Sequence, residues 1–151
     1  MTTPAGPCPL CSADGGLVLW RDAALRVVLA GEPEWPGFCR VIWREHVAEL
    51  TDLADDDRAR VMRAVSATEA ALRTLLAPDK INLASLGNLV PHLHWHVIPR
   101  WRDDSRFPAP IWAPALREAA PRVVPADFES RLIREIRGRL GPERDAPRPM
   151  A

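Results

Sequence analysis

One ten-residue segment, Pro91-His92-Leu93-His94-Trp95-His96-Val97-Ile98-Pro99-Arg100, limits the fold more than any other. Successive side chains on a strand point to opposite faces. Residues 93–98 therefore read as a β-strand, with the imidazoles of His92, His94 and His96 on one face and Leu93, Trp95 and Val97 packing on the other. Neighbouring segments supply partners. Leu17–Trp20 and Leu25–Leu29 are apolar runs on either side of a turn at Arg21-Asp22, which predicts a hairpin. Residues 38–43 follow a loop containing Pro33 and Pro36 and read as a third strand, and residues 81–86 as a fourth, ending at the Gly87-Asn88 turn. Between them the period changes. Val61, Val65, Thr68, Leu72 and Leu75 recur at helical spacing from Asp55 onward, and Pro78 stops the run. Asp55, Asp56 and Asp57 suit the positive end of that helix, whereas three consecutive helical positions cannot face one metal ion. Leu132, Ile133 and Ile136 predict a second helix near 127–140. The expected class is α+β: about five antiparallel strands, one long helix and a C-terminal helix.

The 151 residues suit a single domain at 17–113, preceded by a short segment, 1–16, and followed by a Pro/Arg-rich segment, 114–151. Twenty basic residues balance twenty acidic ones, so no net charge draws the chain to nucleic acid or anionic lipid. Lys80, the only lysine, stands between Asp79 and Ile81, which excludes a phosphate-binding P-loop. Nine of the sixteen prolines lie between Pro99 and Pro149, so the last third is expected to be largely irregular, with a loose tail after the helix. Three cysteines argue against a secreted disulfide framework. With no signal-peptide pattern and no long apolar run, the expected location is the cytoplasm.

Three imidazoles on one face point to chemistry. A neutral ring offers one nitrogen as nucleophile or base while the other is held by a hydrogen bond, which supports covalent catalysis. A three-histidine metal site is disfavoured, because His92 and His96 on a regular strand would stand about 13 Å apart at ~3.3 Å per residue. A separate set is Cys8 and Cys11, spaced C-x-x-C, with His46 and His92. Two thiolates and two imidazoles make the closed tetrahedral set of structural zinc. The alternative is a hydrogen-bonded His46–His92 relay beside reduced cysteines. A redox pair is disfavoured because such pairs start a helix, whereas Pro7 and Pro9 suggest a loop. Cys39 reads as a small core residue.

The run His92-Leu93-His94-Trp95-His96-Val97-Ile98 resembles the signature of the histidine triad family of nucleotide hydrolases and transferases, His-φ-His-φ-His-φ-φ with φ apolar. The likeness extends through Val41–Val47 and Asn82 and covers roughly residues 8 to 101. It implies the histidine triad fold, a nucleotide substrate and a homodimer. It also implies that His94 attacks the α-phosphorus to form a nucleotidyl-histidine, and that His96 contacts phosphate. By the same resemblance Asn82, Asn88 and Glu32 approach ribose or phosphate, and Cys8, Cys11, His46 and His92 hold structural zinc. Arg100, directly after the triad, is a candidate phosphate ligand, since phosphoryl transfer needs positive groups around the transferred oxygens. The ending Val97-Ile98-Pro99-Arg100 resembles the branch that cleaves dinucleoside polyphosphates such as diadenosine tetraphosphate. Phosphoramidate cleavage, or a nucleotidyltransferase or phosphorylase using the same His94, are the alternatives. Leu89, where several relatives carry Ser or Thr, keeps open a nucleotide-binding adaptor with little turnover.

Overall fold

A computed structural model describes residues 7–144. The expected tail beyond 144 and the first six residues lie outside the described residues. In chain order the elements are a one-turn helix α1 (Pro9–Ser12), strands β1 (Leu17–Arg21), β2 (Leu25–Leu29) and β3 (Cys39–Trp43), a 3₁₀ turn (Leu50–Asp52), the long helix α2 (Asp55–Leu76), strands β4 (Lys80–Ala84) and β5 (His94–Arg100), and helix α3 (Phe128–Leu140). The five strands form one sheet in the order β1-β2-β3-β5-β4, with every neighbour antiparallel. The α+β class is as the sequence implies.

Burial explains the layers. Val27, Cys39, Val41, Trp43 and Val97 project from one face of the sheet into a core with Val61, Val65 and Leu72 of α2 and Phe128, Leu132 and Ile136 of α3. Val65, Leu72, Leu132 and Ile136 are fully buried, and each contributes about 1.5–3 kcal/mol through the apolar surface it removes from water. Helix α2 opens on Asp55, Asp56 and Asp57 and closes on Ala77, whose left-handed backbone (φ 44, ψ 53) precedes Pro78. Both long helices lie on this face, so among the described residues the opposite face, which carries His94 and His96, has no helical cover beyond the single turn of α1.

Several boundaries differ from the sequence reading. Cys8-Pro9-Leu10-Cys11 is no loop: Cys8 is the N-cap and Pro9 the first residue of α1. Proline fits there because the first helical N–H has no intrahelical partner in any case. His92 lies before β5, which starts at His94 and runs through Pro99 to Arg100. Pro99 is accommodated beyond the last β3–β5 pair, Cys39 with Val97, where β5 has a neighbour on one side alone. The chain after α3 is not loose as far as it is described. The Trp20 indole donates to the Gly141 carbonyl at 2.9 Å, and the Arg144 amide to Arg21 at 3.2 Å.

Candidate active site and metal cluster

The cross-strand register sets the site. His96 pairs with Arg40 and His94 with Ile42, so these four side chains share the open face. The His94 Nδ1–H donates to the His92 carbonyl at 2.6 Å. A carbonyl only accepts, so Nδ1 carries the proton and the neutral ring presents its lone pair at Nε2. His94 is buried, with 8 % of its surface exposed, and borders a cavity of about 200 Å³ with Glu49, Ser85, Leu86 and Gly87. Ser85 Oγ donates to the His94 carbonyl at 2.8 Å and ties the strand to that turn. Gly87 adopts φ +74, a conformation that favours glycine.

His96 stacks edge-on against His94 at 4.9 Å and Trp112 at 5.1 Å between ring centres. Burial, with the His94 ring and the Arg40 guanidinium, lowers its pKa to about 4, so it is neutral at physiological pH. Its Nδ1 is buried without a hydrogen-bond partner among the described residues.

The second group lies beside the first. The ligand atoms of Cys8, Cys11, His46 and His92 all fall within 4.8 Å of one another, and together they can hold one metal ion. Cys8 and Cys11 Sγ stand 3.5 and 3.4 Å from His92 Nδ1, and Cys11 Sγ stands 3.4 Å from His46 Nδ1. The His92 Nε2–H donates to the Trp43 carbonyl at 2.7 Å, the outer bond that metal-binding histidines use to fix their ring, and this leaves the Nδ1 lone pair facing the thiols. Burial lowers the His92 pKa and favours that neutral state. Burial and the adjacent Cys8 raise the Cys11 thiol, opposite to the depressed thiol of a redox pair. The C-x-x-C begins a helix where the sequence suggests a loop, and its two thiols face His46 and His92. The segment is held down by Arg26, which donates to the Leu10, Ala13 and Asp14 carbonyls at 2.7, 3.0 and 2.8 Å.

The other expected ligands are dispersed. Arg100 is no free phosphate ligand. Only 1 % of its side chain is exposed, with Nε and Nη2 on the Asp104 carboxylate at 2.7 and 2.9 Å, Nη2 also on the Ala109 carbonyl and Nη1 on Asn82 Oδ1. Asp104 also accepts the Arg106 and Phe107 amides at 3.0 and 2.8 Å. Burial pushes its carboxyl up, but the Arg100 hydrogen bonds and these amides outweigh that and hold its pKa at about 2. Asn82 is half-buried and borders a groove with Ile98, Ile111 and Trp112. Asn88 and Leu89 are exposed on the turn. Glu32 borders a different groove, with Val124, Pro125 and Glu129. Sequence reasoning missed Asp104 and Arg40. The signal for Arg40 was a single charge in the otherwise apolar run 38–43.

A sheet of this order, with alternating histidines on its uncovered face, defines a class of proteins. The chain belongs to it: the HIT domain family model matches residues 16–103. Over 114 residues the chain is 32% identical to the AP-4-A phosphorylase of Mycobacterium tuberculosis, a match covering 70% of this chain and 58% of that protein. The chain thus spans little more than half the length of that relative. An uncharacterised HIT-like protein of Saccharolobus solfataricus is 26% identical over 96 residues, covering 60% of this chain and 69% of that one. Among solved structures, a histidine triad protein from Marinobacter aquaeolei superposes with a TM-score of 0.69 at 26% identity, covering 83% of this chain and 92% of its own. One from Bradyrhizobium japonicum superposes with a TM-score of 0.67 at 26% identity, covering 84% and 92%.

Proposed function

We propose that the protein cleaves a phosphoanhydride of a dinucleoside polyphosphate such as diadenosine tetraphosphate through a nucleotidyl intermediate on His94. One observation carries this reading: the 2.6 Å bond from His94 Nδ1 to the His92 carbonyl, which leaves Nε2 as the lone-pair nitrogen. In the first step Nε2 bonds to the α-phosphorus and the bond to the bridging oxygen breaks. The bonding pair leaves with the departing phosphate, and the proton stays on Nδ1, hydrogen-bonded to the His92 carbonyl, while the ring becomes cationic. In the second step an acceptor oxygen bonds to phosphorus and releases its proton to solvent, and the N–P bonding pair returns to Nε2 and restores the neutral ring. Neutral His96 adds no charge beside the ring, and its unpartnered Nδ1 suits a hydrogen bond with substrate.

Water as acceptor makes a hydrolase and releases the nucleoside monophosphate. That the mycobacterial relative is an AP-4-A phosphorylase favours a second reading, in which inorganic phosphate is the acceptor and the product is a nucleoside diphosphate. Single-turnover labelling by α-labelled diadenosine tetraphosphate, chased with water or phosphate, tests both. Label trapped on the wild type and absent from His94→Ala supports the intermediate, and AMP or ADP in the chase names the acceptor. Binding without labelling of either protein refutes the reading and leaves an adaptor.

We also take the ion at Cys8, Cys11, His46 and His92 to be zinc. Ligand atoms on a tetrahedral zinc, with Zn–S about 2.3 Å and Zn–N about 2.0 Å, lie roughly 3.5 Å apart, which matches the 3.4–3.5 Å sulfur–nitrogen spacings. A closed four-ligand zinc of this kind supplies cross-linking of the fold and no reaction chemistry. The same reading takes the protein as a homodimer, which light scattering checks as twice the mass of the chain.

A further inference from the structure

The cations near the histidines differ in what they face. Arg100 is engaged by Asp104 and Asn82, and Arg106 by Glu34 at 3.1 Å. Arg26 binds three carbonyls of the N-terminal segment. Arg40 differs. It stands directly across from His96 in the β3–β5 register, and one nitrogen, Nη1, donates to the Gly15 carbonyl at 3.1 Å. The rest of the guanidinium lies over the Phe38 ring, 5.3 Å from its centre. No carboxylate pairs with it among the described residues. A half-buried cation without a counter-ion is costly unless an anion completes it. The neighbouring ring, His96, has its own buried nitrogen unpartnered. A positive fork and an unsatisfied imidazole on adjacent strands make a receptor for a group rich in acceptor oxygens, and guanidinium recognises phosphate through paired N–H donors.

Resting on the nucleotide reading above, we propose that Arg40 binds the phosphate oxygens of the substrate beside His96, as the cation that recognises the phosphate rather than the nucleoside. Its remaining donors lie on the β3 side of the histidine pair, whereas the Gly87 turn lies toward β4, so the substrate phosphates are held from both sides. The phosphate would take the place of the carboxylate that Arg40 lacks among the described residues.

The test is calorimetric titration of the full chain with AMP and with adenosine, for the wild type, Arg40→Leu and Arg40→Lys. Thermal melts of each variant check that it is folded. The expected result is that Arg40→Leu weakens AMP at least tenfold while adenosine binding stays within twofold. Arg40→Lys, a point charge without the fork, is expected to fall between the two. Should Arg40→Leu fail to fold, Arg40→Lys carries the test, with a loss of at least threefold for AMP alone. Unchanged AMP affinity, or equal loss of AMP and adenosine, overturns the assignment. A wild type that becomes labelled on His94 but shows no Arg40 effect sinks this inference alone. A wild type that is never labelled and binds AMP no better than adenosine sinks the nucleotide reading itself.

Discussion

Replacing Asp104 by alanine leaves the Arg100 guanidinium in the interior with neither its countercharge nor two of its hydrogen bonds. The two side chains are 1% and 2% exposed, so water reaches neither. The Arg106 and Phe107 amides lose their acceptor as well. Removing one partner of a buried ion pair costs about 3–5 kcal/mol, a large share of the roughly 5–15 kcal/mol that holds a domain folded. At about 3 °C per kcal/mol for a chain of this size, the melting temperature should fall by roughly 10–15 °C. Urea titration at pH 7 measures the free energy directly, and an unchanged slope shows that the two states are still native and unfolded. The double variant Asp104→Leu with Arg100→Met removes both charges and should be less damaging than the sum of the single changes, because no orphan charge remains. Glu143→Ala supplies the contrast. Its pair with Arg137 is exposed at 51% and 38%, so its loss should shift stability by less than about 0.5 kcal/mol. A loss below about 1 kcal/mol for Asp104→Ala, or strict additivity in the double variant, would refute the claim that this pair organises the segment after β5.

Three further outcomes follow from the same geometry. The Asp104 carboxyl is held at about 2 against an ordinary value of 3.8, so the stability it contributes is fully present above pH 3.8 and is lost as pH falls through 2. That amounts to about 2 kcal/mol, and acid titration of the wild type against Asp104→Ala should show this limb in the wild type alone. Elemental analysis should find one zinc per chain, and chelation should lower the melting temperature by several degrees, about as much as Cys11→Ser does; an unchanged melt after metal removal would count against the cluster. Ala77 has a left-handed backbone at the end of α2, so Ala77→Gly should stabilise by about 0.5–1 kcal/mol in the same urea assay.

Features that depend on local periodicity were legible in the sequence. Helix α2 follows from apolar spacing, an acidic first turn and Pro78. The shared face of His94 and His96 follows from strand alternation alone. Cys8 and Cys11 could be grouped with His46 and His92 because the ligand chemistry is restrictive even when the geometry is unknown. Arg100 shows where that logic stops. It alternates with His94, His96 and Ile98 and so reads as part of the open face, yet its partner Asp104 lies four residues on, in a stretch with no periodic signal. Charge complementarity across irregular chain leaves no pattern to read. His92 shows a different limit, since alternation places it on β5 whereas its ring is set by the Trp43 carbonyl and the thiols.

The open face is covered from two flanks by devices of different chemistry, and that difference lets them be separated. On one flank Leu10 packs on Val28 and Ile42, so the segment carrying Cys8 and Cys11 lies against the row that holds His94. On the other, Ile111 packs with Trp35, Phe38 and Ile98 and brings Trp112 to His96. The Arg26 hydrogen bonds secure the first flank, beside the cluster that can hold a metal ion, and the Arg100–Asp104 pair secures the second. His92 joins the first flank to His94: its ring lies with Cys8, Cys11 and His46 in the cluster that can hold a metal ion, while its carbonyl accepts the hydrogen bond from His94 Nδ1–H. Disturbing the metal should therefore act on His94 through its tautomer and orientation, whereas disturbing Asp104 should act on His96 through the wall formed by Trp112. The two disturbances have no ligand or hydrogen bond in common, so their effects on labelling should combine independently, apart from what passes through global stability.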